Sequence, residues 1–218
     1  MSQARAAILD RVRQALKTGY VPGAYEHAAA AQPCDLAPDK PFGAAEQRAG
    51  LVERFLAELT ALGVDSYVES SPADVRARVA AIVEGRSVLS WDADRLPYDV
   101  GAVLTGAATG ASPRDVQAAA DVGVTGCDAA LAETGTLVLL SGPGKPRAAS
   151  LLPPTYVAIV EQGTLRHTMG DFFAEHGNAV RSAASCTFVT GPSRTADIEL
   201  TLTLGVHGPG KVIVVVGP

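Results

Sequence analysis

Gly135 to Leu140 (GTLVLL) carries almost no polar side chain at either parity, the pattern of a strand covered on both faces, with helices expected on both sides. The chain around it changes period repeatedly. Residues 3–17 set Ala7, Ile8, Val12 and Leu16 on one stripe and predict an amphipathic helix. Residues 18–42 are rich in Ala, Pro and Gly without a period and read as a linker wrapping the main domain. A helix is predicted from 44 to 62, with Leu51, Phe55, Leu59 and Leu62 as its buried face and Gly63 closing it. Strands are then expected at 64–68, 87–91, 102–105, 135–140, 156–160, 186–189 and 211–216, with helices at 73–83, 113–121 and 165–176. Two of these helices share a start signal, Ser71-Pro72 with Asp74 and Ser112-Pro113 with Asp115: serine as N-cap, proline in the first turn, an acid at the positive end. Strands alternating with helices predict a mainly parallel sheet in a layered α/β fold. The expected organisation is an N-terminal helix and linker over 1–43 and one α/β domain over 44–218.

Composition narrows the function classes. At 218 residues and 47% hydrophobic content the chain supports one sizeable core. A net charge of −5 without a Lys/Arg run removes the electrostatic footprint of a nucleic-acid binder. Three cysteines, Cys34, Cys127 and Cys186, give neither a disulfide framework nor zinc or iron–sulfur spacing, so no metal or other cofactor is expected. The charged N-terminal segment lacks a signal-peptide core, and the longest aliphatic run, Val212 to Val216, is too short to span a bilayer. A reduced, cytoplasmic protein is the expectation.

Two glycine-rich polar segments carry the candidate chemistry. The first, Gly123 to Thr155, holds Thr125, Cys127, Asp128, Glu133, Thr134, Thr136 and Arg147; the second runs from Thr190 to Gly210. Acids, hydroxyls and an arginine at strand ends are how α/β proteins build ligand sites. Glu133 has two readings of equal weight: a buried acid holding loop backbone, or a carboxylate serving as base, nucleophile or acceptor. Ser193, Arg194 and Thr195 are expected to lead into a helical turn with Asp197, and suit an anion better than a plain cap because arginine and glycine recur in the first segment. His207 is placed as a donor or acid/base between two turns. Thr134, Gly135, Thr136 and Arg147 complete the expected ligand set. Cys127 reads as structural, because no base accompanies it in sequence. GVHGPGK at 205–211 contains GxxxxGK but continues into Val212 and a strand, so a tight loop is expected rather than a nucleotide cradle; GPGK at 142–145 reads as another turn.

The segments GVTGCDAALAETGTLVLLS, RAASLLPPT and SRTADIELTLTLGVHGPG resemble the LUD-domain family, in particular its lactate-utilisation protein C branch. That resemblance implies a fold like the NagB/RpiA/CoA-transferase superfamily and a part in oxidising L-lactate to pyruvate alongside two iron–sulfur proteins encoded nearby. The family's iron–sulfur member carries clustered cysteines that this chain lacks, which implies that this chain does not itself carry electrons. The leading expectation is a subunit that binds a small anionic metabolite or supports those partners. The rival is a standalone acyl- or phosphosugar-transforming enzyme with Glu133 as nucleophile or base, since CoA-transferase relatives use a glutamate.

Overall fold

The computed structural model describes residues 46–195 and 203–218, together with Leu9, Asp10, Val12 and Arg13. The N-terminal helix and linker expected over 1–43, and Asp197, therefore lie wholly or largely outside the described residues. Residues 42–218 form one compact unit.

Helix α1 (Glu46–Ala61) buries Phe55 and Leu59, four residues apart and so on one face. It ends where Gly63 takes φ +75, a left-handed turn that a β-carbon would strain. Five parallel strands follow as the central sheet: β1 (Asp65–Val68), β2 (Val88–Ser90), β3 (Val122–Thr125), β6 (Thr155–Glu161) and β11 (Lys211–Gly217), in the spatial order β1-β11-β6-β3-β2. β3, β6 and β11 are buried along nearly their whole length, and Val157, Ile159, Val212 and Val214 lie in one core with Phe55 and Leu59. Burial on both faces is why these segments read as unbroken apolar runs.

Helix α2 (Pro72–Val83) starts as the sequence predicts: Ser71 accepts from the Asp74 N–H at 3.2 Å, and Pro72 occupies the first turn. Helix α3 (Arg114–Ala118) does not. Pro113 takes its N-cap position, and the Ser112 hydroxyl instead accepts the Thr109 N–H at 3.0 Å. The strand expected at 102–105 is also corrected. Residues 97–103 form a 3-10 segment in which Tyr98 and Asp99 hold φ 59 and 54, with Val100 fully buried.

The Gly135–Leu140 run becomes β5 (Thr136–Leu140), in a second sheet ordered β7-β4-β5-β8 with β4 (Ala129–Leu131), β7 (Leu165–Arg166) and β8 (Cys186–Val189). Its pairings with β4 and β8 are antiparallel. Leu137 and Leu139 face the main core, while Val138 packs with Phe172 of α5 (Met169–Ser182). Both faces are thus covered, but by the main core on one side and a single helix on the other. Helix α4 (Ala148–Leu151) lies against β3 at Gly123, where a β-carbon would fall 1.8 Å from the Ala149 carbonyl oxygen. The result is a layered α/β sandwich with a mainly parallel central sheet.

Candidate functional site

β2 and β3 end side by side at Ser90 and Thr125, and the residues that follow build a polar cleft. The carboxyl edge of a parallel sheet collects polar side chains because the chain turns there from a buried strand to an exposed helix. Trp91 follows β2, 4% exposed, with its N–H on the Val124 carbonyl. Asp128 follows β3 and opens the β4–β5 ladder, its own N–H on the Val138 carbonyl. One Asp128 carboxylate oxygen accepts the Leu140 N–H at 2.8 Å; the other accepts from Lys145 Nζ at 2.5 Å.

Lys145 is delivered by the GPGK turn. Its N–H closes on the Gly142 carbonyl, Gly144 takes φ +74, and the Asp92 N–H binds the Gly144 carbonyl at 2.8 Å. The ammonium lies 4.7 Å from the Trp91 ring centre, in cation–π range. Arg147 comes two residues later at the head of α4; it is exposed, and its guanidinium has no partner among the described residues. Trp91, Ser141, Lys145, Arg147, Ser150 and Thr187 line one narrow cleft. It has room for little more than one water molecule, so only one end of a ligand fits into it. A broader groove beside β2 is lined by Val83, Val88, Val103 and Leu104 together with Glu84, Arg86 and Thr105.

The first segment's threonines lie at the opposite end of β5, about 13 Å away by strand rise. Thr134 and Thr136 share a hydroxyl contact at 2.7 Å, and Thr136 meets Thr190 at 2.8 Å, so the two polar segments touch. Gly135, at φ +63, passes tightly over Glu58 and Leu62 at the end of α1. Arg194 Nη2 donates to the Leu62 carbonyl at 2.5 Å, placing positive charge at the negative end of that helix. Arg194–Thr195 is β9, paired antiparallel with β10 (Thr203–Leu204), and the helical turn expected with Asp197 lies outside the described residues.

Ser193 gives its N–H to the Pro209 carbonyl and its own carbonyl to Gly205. His207 is exposed at the tip of the 205–210 loop, which is pinched where Gly205 meets Gly210 and runs straight into β11. Glu133 is exposed as well; its N–H binds the His167 carbonyl, and its carboxylate has no partner among the described residues. The structure thus brings Thr134 and Thr136 to Thr190 and sets Ser193 beside the loop of His207. Arg147 stands in a different place, with Lys145 and Trp91.

Sequence reasoning named Arg147 but missed Trp91 and Lys145. The available signal was the GPGK turn following the most apolar strand. Cys127, weighed as a nucleophile, donates to the Ala129 carbonyl at 2.6 Å, and burial pushes its thiol up to about 12, far from a reactive thiolate. Among the described residues no group of His, Cys, Asp and Glu could hold a metal ion, and no helix is long and apolar enough to cross a membrane.

Fold and cleft together define a layered α/β domain with a polar pocket at the carboxyl edge of its parallel sheet. The family model described as LUD domain matches residues 52–216, and the chain belongs to that family. Curated relatives include "Lactate utilization protein C" of Halalkalibacterium halodurans, 46% identical over 44% of this chain and 44% of that protein. The protein of the same name from Macrococcus caseolyticus is 36% identical over 68% of this chain and 70% of its own length. The matched stretches span about half the length of the first relatives, 44% and 47%. A solved DUF162 family protein from Deinococcus radiodurans superposes with a TM-score of 0.64 at 22% identity, covering 82% of this chain and all of that one, which shows the shared fold.

Proposed function

We propose that this LUD domain serves lactate utilisation as the subunit of an L-lactate-oxidising system that binds a small carboxylate in the cleft of Trp91, Lys145 and Arg147. The observation that carries the reading is Arg147: a guanidinium without a partner among the described residues, facing a cleft that also holds Lys145 and three hydroxyl side chains. A guanidinium meets a carboxylate through two parallel N–H donors, and a desolvated floor such as Trp91 strengthens that pairing. The curated relatives, named for lactate utilisation, support that reading. The absence of clustered cysteines supports a division of labour in which iron–sulfur partner proteins handle the electrons and this chain holds or presents the acid.

In this reading Arg194, Ser193, Thr134 and Thr136 lock the two polar segments onto the end of α1. Glu133 and His207, both exposed and distant from a nucleophile's usual supports, contact partners rather than substrate. Calorimetric titration with L-lactate and pyruvate tests the cleft. Wild-type protein should bind at least one of them, and Arg147→Ala should weaken that binding about ten-fold or more, as loss of a charge-assisted pair would. Unchanged binding in Arg147→Ala would move the site elsewhere.

A further inference from the structure

We infer that Asp128 is a positioning residue: it pins the Lys145 ammonium beside Trp91 and offsets its charge, so the cleft presents one net positive charge and prefers singly over doubly charged anions. This rests on the reading that the cleft binds a small carboxylate. The geometry is fixed from both sides. Asp128 sits in the β4–β5 ladder, and its second oxygen is held by the Leu140 N–H, so the carboxylate cannot follow a moving lysine. The Lys145 turn is tied in its turn to the Trp91–Asp92 segment. The Asp92 N–H binds the Gly144 carbonyl, and a β-carbon on Gly144 would meet Asp92 and Arg95 side chains at 3.0 Å.

A lysine stem is flexible and its ammonium carries three donors. One donor is committed to Asp128, which leaves the others free to face the cleft that Lys145 lines. Of the residues lining the cleft only Lys145 and Arg147 are charged, and Lys145 is set against Asp128; Arg95 is paired with Asp94 at 3.5 Å, and neither lines the cleft. Arg147 is left over. A monoanion meets that single surplus charge, whereas a dianion carries one negative charge that only the Asp128-bound lysine can answer.

The test uses the full chain, with L-lactate as monoanion and malonate as dianion, and Trp91 as its sole tryptophan. Asp128→Asn keeps an oxygen for the Leu140 N–H while releasing Lys145. Its Trp91 emission should shift as it does in Lys145→Met, without any ligand present. Its ratio of malonate to lactate dissociation constants should fall about ten-fold, the effect of one uncompensated charge at close range. The double variant Asp128→Asn/Lys145→Met restores the single surplus charge and should return the ratio toward wild type. A ratio within two-fold of wild type in Asp128→Asn overturns the proposal, whatever the Trp91 signal does. Failure of the reading beneath it looks different: Arg147→Ala then leaves anion binding unchanged, or wild type binds neither anion, while Trp91 emission still reports whether Asp128 holds Lys145.

Discussion

Gly123 is a residue whose identity is dictated by its neighbours alone. It lies in the middle of β3 with φ/ψ that any residue adopts, yet a β-carbon there would stand 1.8 Å from the Ala149 carbonyl oxygen and 3.2 Å from Pro153. The contact seats α4, and with it Arg147, on the sheet. Gly123→Ala should therefore destabilise the domain by about 3 kcal/mol, the upper part of the range for overpacking a core, and urea unfolding would show it; a loss below about 1 kcal/mol would mean that α4 shifts freely. At this scale the sequence was partly readable. The capping by Ser71 follows from local chemistry, because the bond closes within three residues. Arg194 does not, since its acceptor, Leu62, is 132 positions away and no local signal separates a helix cap from an anion receptor. Glu133 adjoins an apolar strand, yet it sits in a turn and is exposed, because turns leave the chain's surface open to water.

Helix α5 shows what elements add. Thr168 accepts the Asp171 N–H at 3.1 Å while Asp171 accepts the Thr168 N–H at 2.9 Å, a reciprocal capping box. Arg166 of β7 then grips Glu175 through two donors at 2.5 and 2.7 Å, and this pairing holds the Glu175 carboxyl below its usual range. Thr168→Ala should cost about 1 kcal/mol, measured by thermal or urea unfolding, and most of that cost should persist in an Asp171→Ala background, because the N–H that Thr168 caps belongs to the main chain. The helix begins at Met169, four residues later than its apolar pattern alone predicts, because Leu165 and Arg166 belong to β7 and only the threonine cap marks the true start. Strand β8 matched its expected bounds, whereas the two- and three-residue strands β4 and β7 are too short for any period to register. Tyr98 and Asp99 hide their left-handed turn completely, for no glycine announces it; the Arg76 guanidinium on the Tyr98 carbonyl and Tyr98 Oη on the Pro218 carbonyl hold it in place.

For the molecule as a whole, alternation of helix and strand made the layered α/β class legible, since burial on both faces leaves an unbroken apolar signature in the chain. It could not reveal that β5 belongs to a separate sheet and pairs there with antiparallel neighbours, because a strand between a core and a helix has the same composition as one between two helices. The cleft was half legible for a similar reason: Lys145 and Trp91 meet only once β2 and β5 have taken their places. Burial also sets how the fold responds to alkali. It pushes Cys127 and Tyr98 each up to about 12 in the folded protein, from 9.0 and 10.0, with Glu161 adding to the shift at Tyr98. Both groups are held neutral by folding, so their contribution to stability is complete below about pH 9 and is lost progressively as pH rises toward 12. The urea midpoint should fall between pH 9 and 11, and Cys127→Ala should flatten part of that fall; a midpoint independent of pH across this interval would contradict the burial of these groups.

The sheet order carries a consequence for how the protein is made. Strand β11 lies between β1 and β6, and Asp65 stands opposite Ile213, 148 positions further along. On the ribosome, β1 waits without its neighbour until nearly all of these residues have been synthesised, so closure of the central layer is a late, long-range event. Pausing or premature cleavage upstream of Lys211 would leave the β1 and β6 edges open to pairing with other nascent chains.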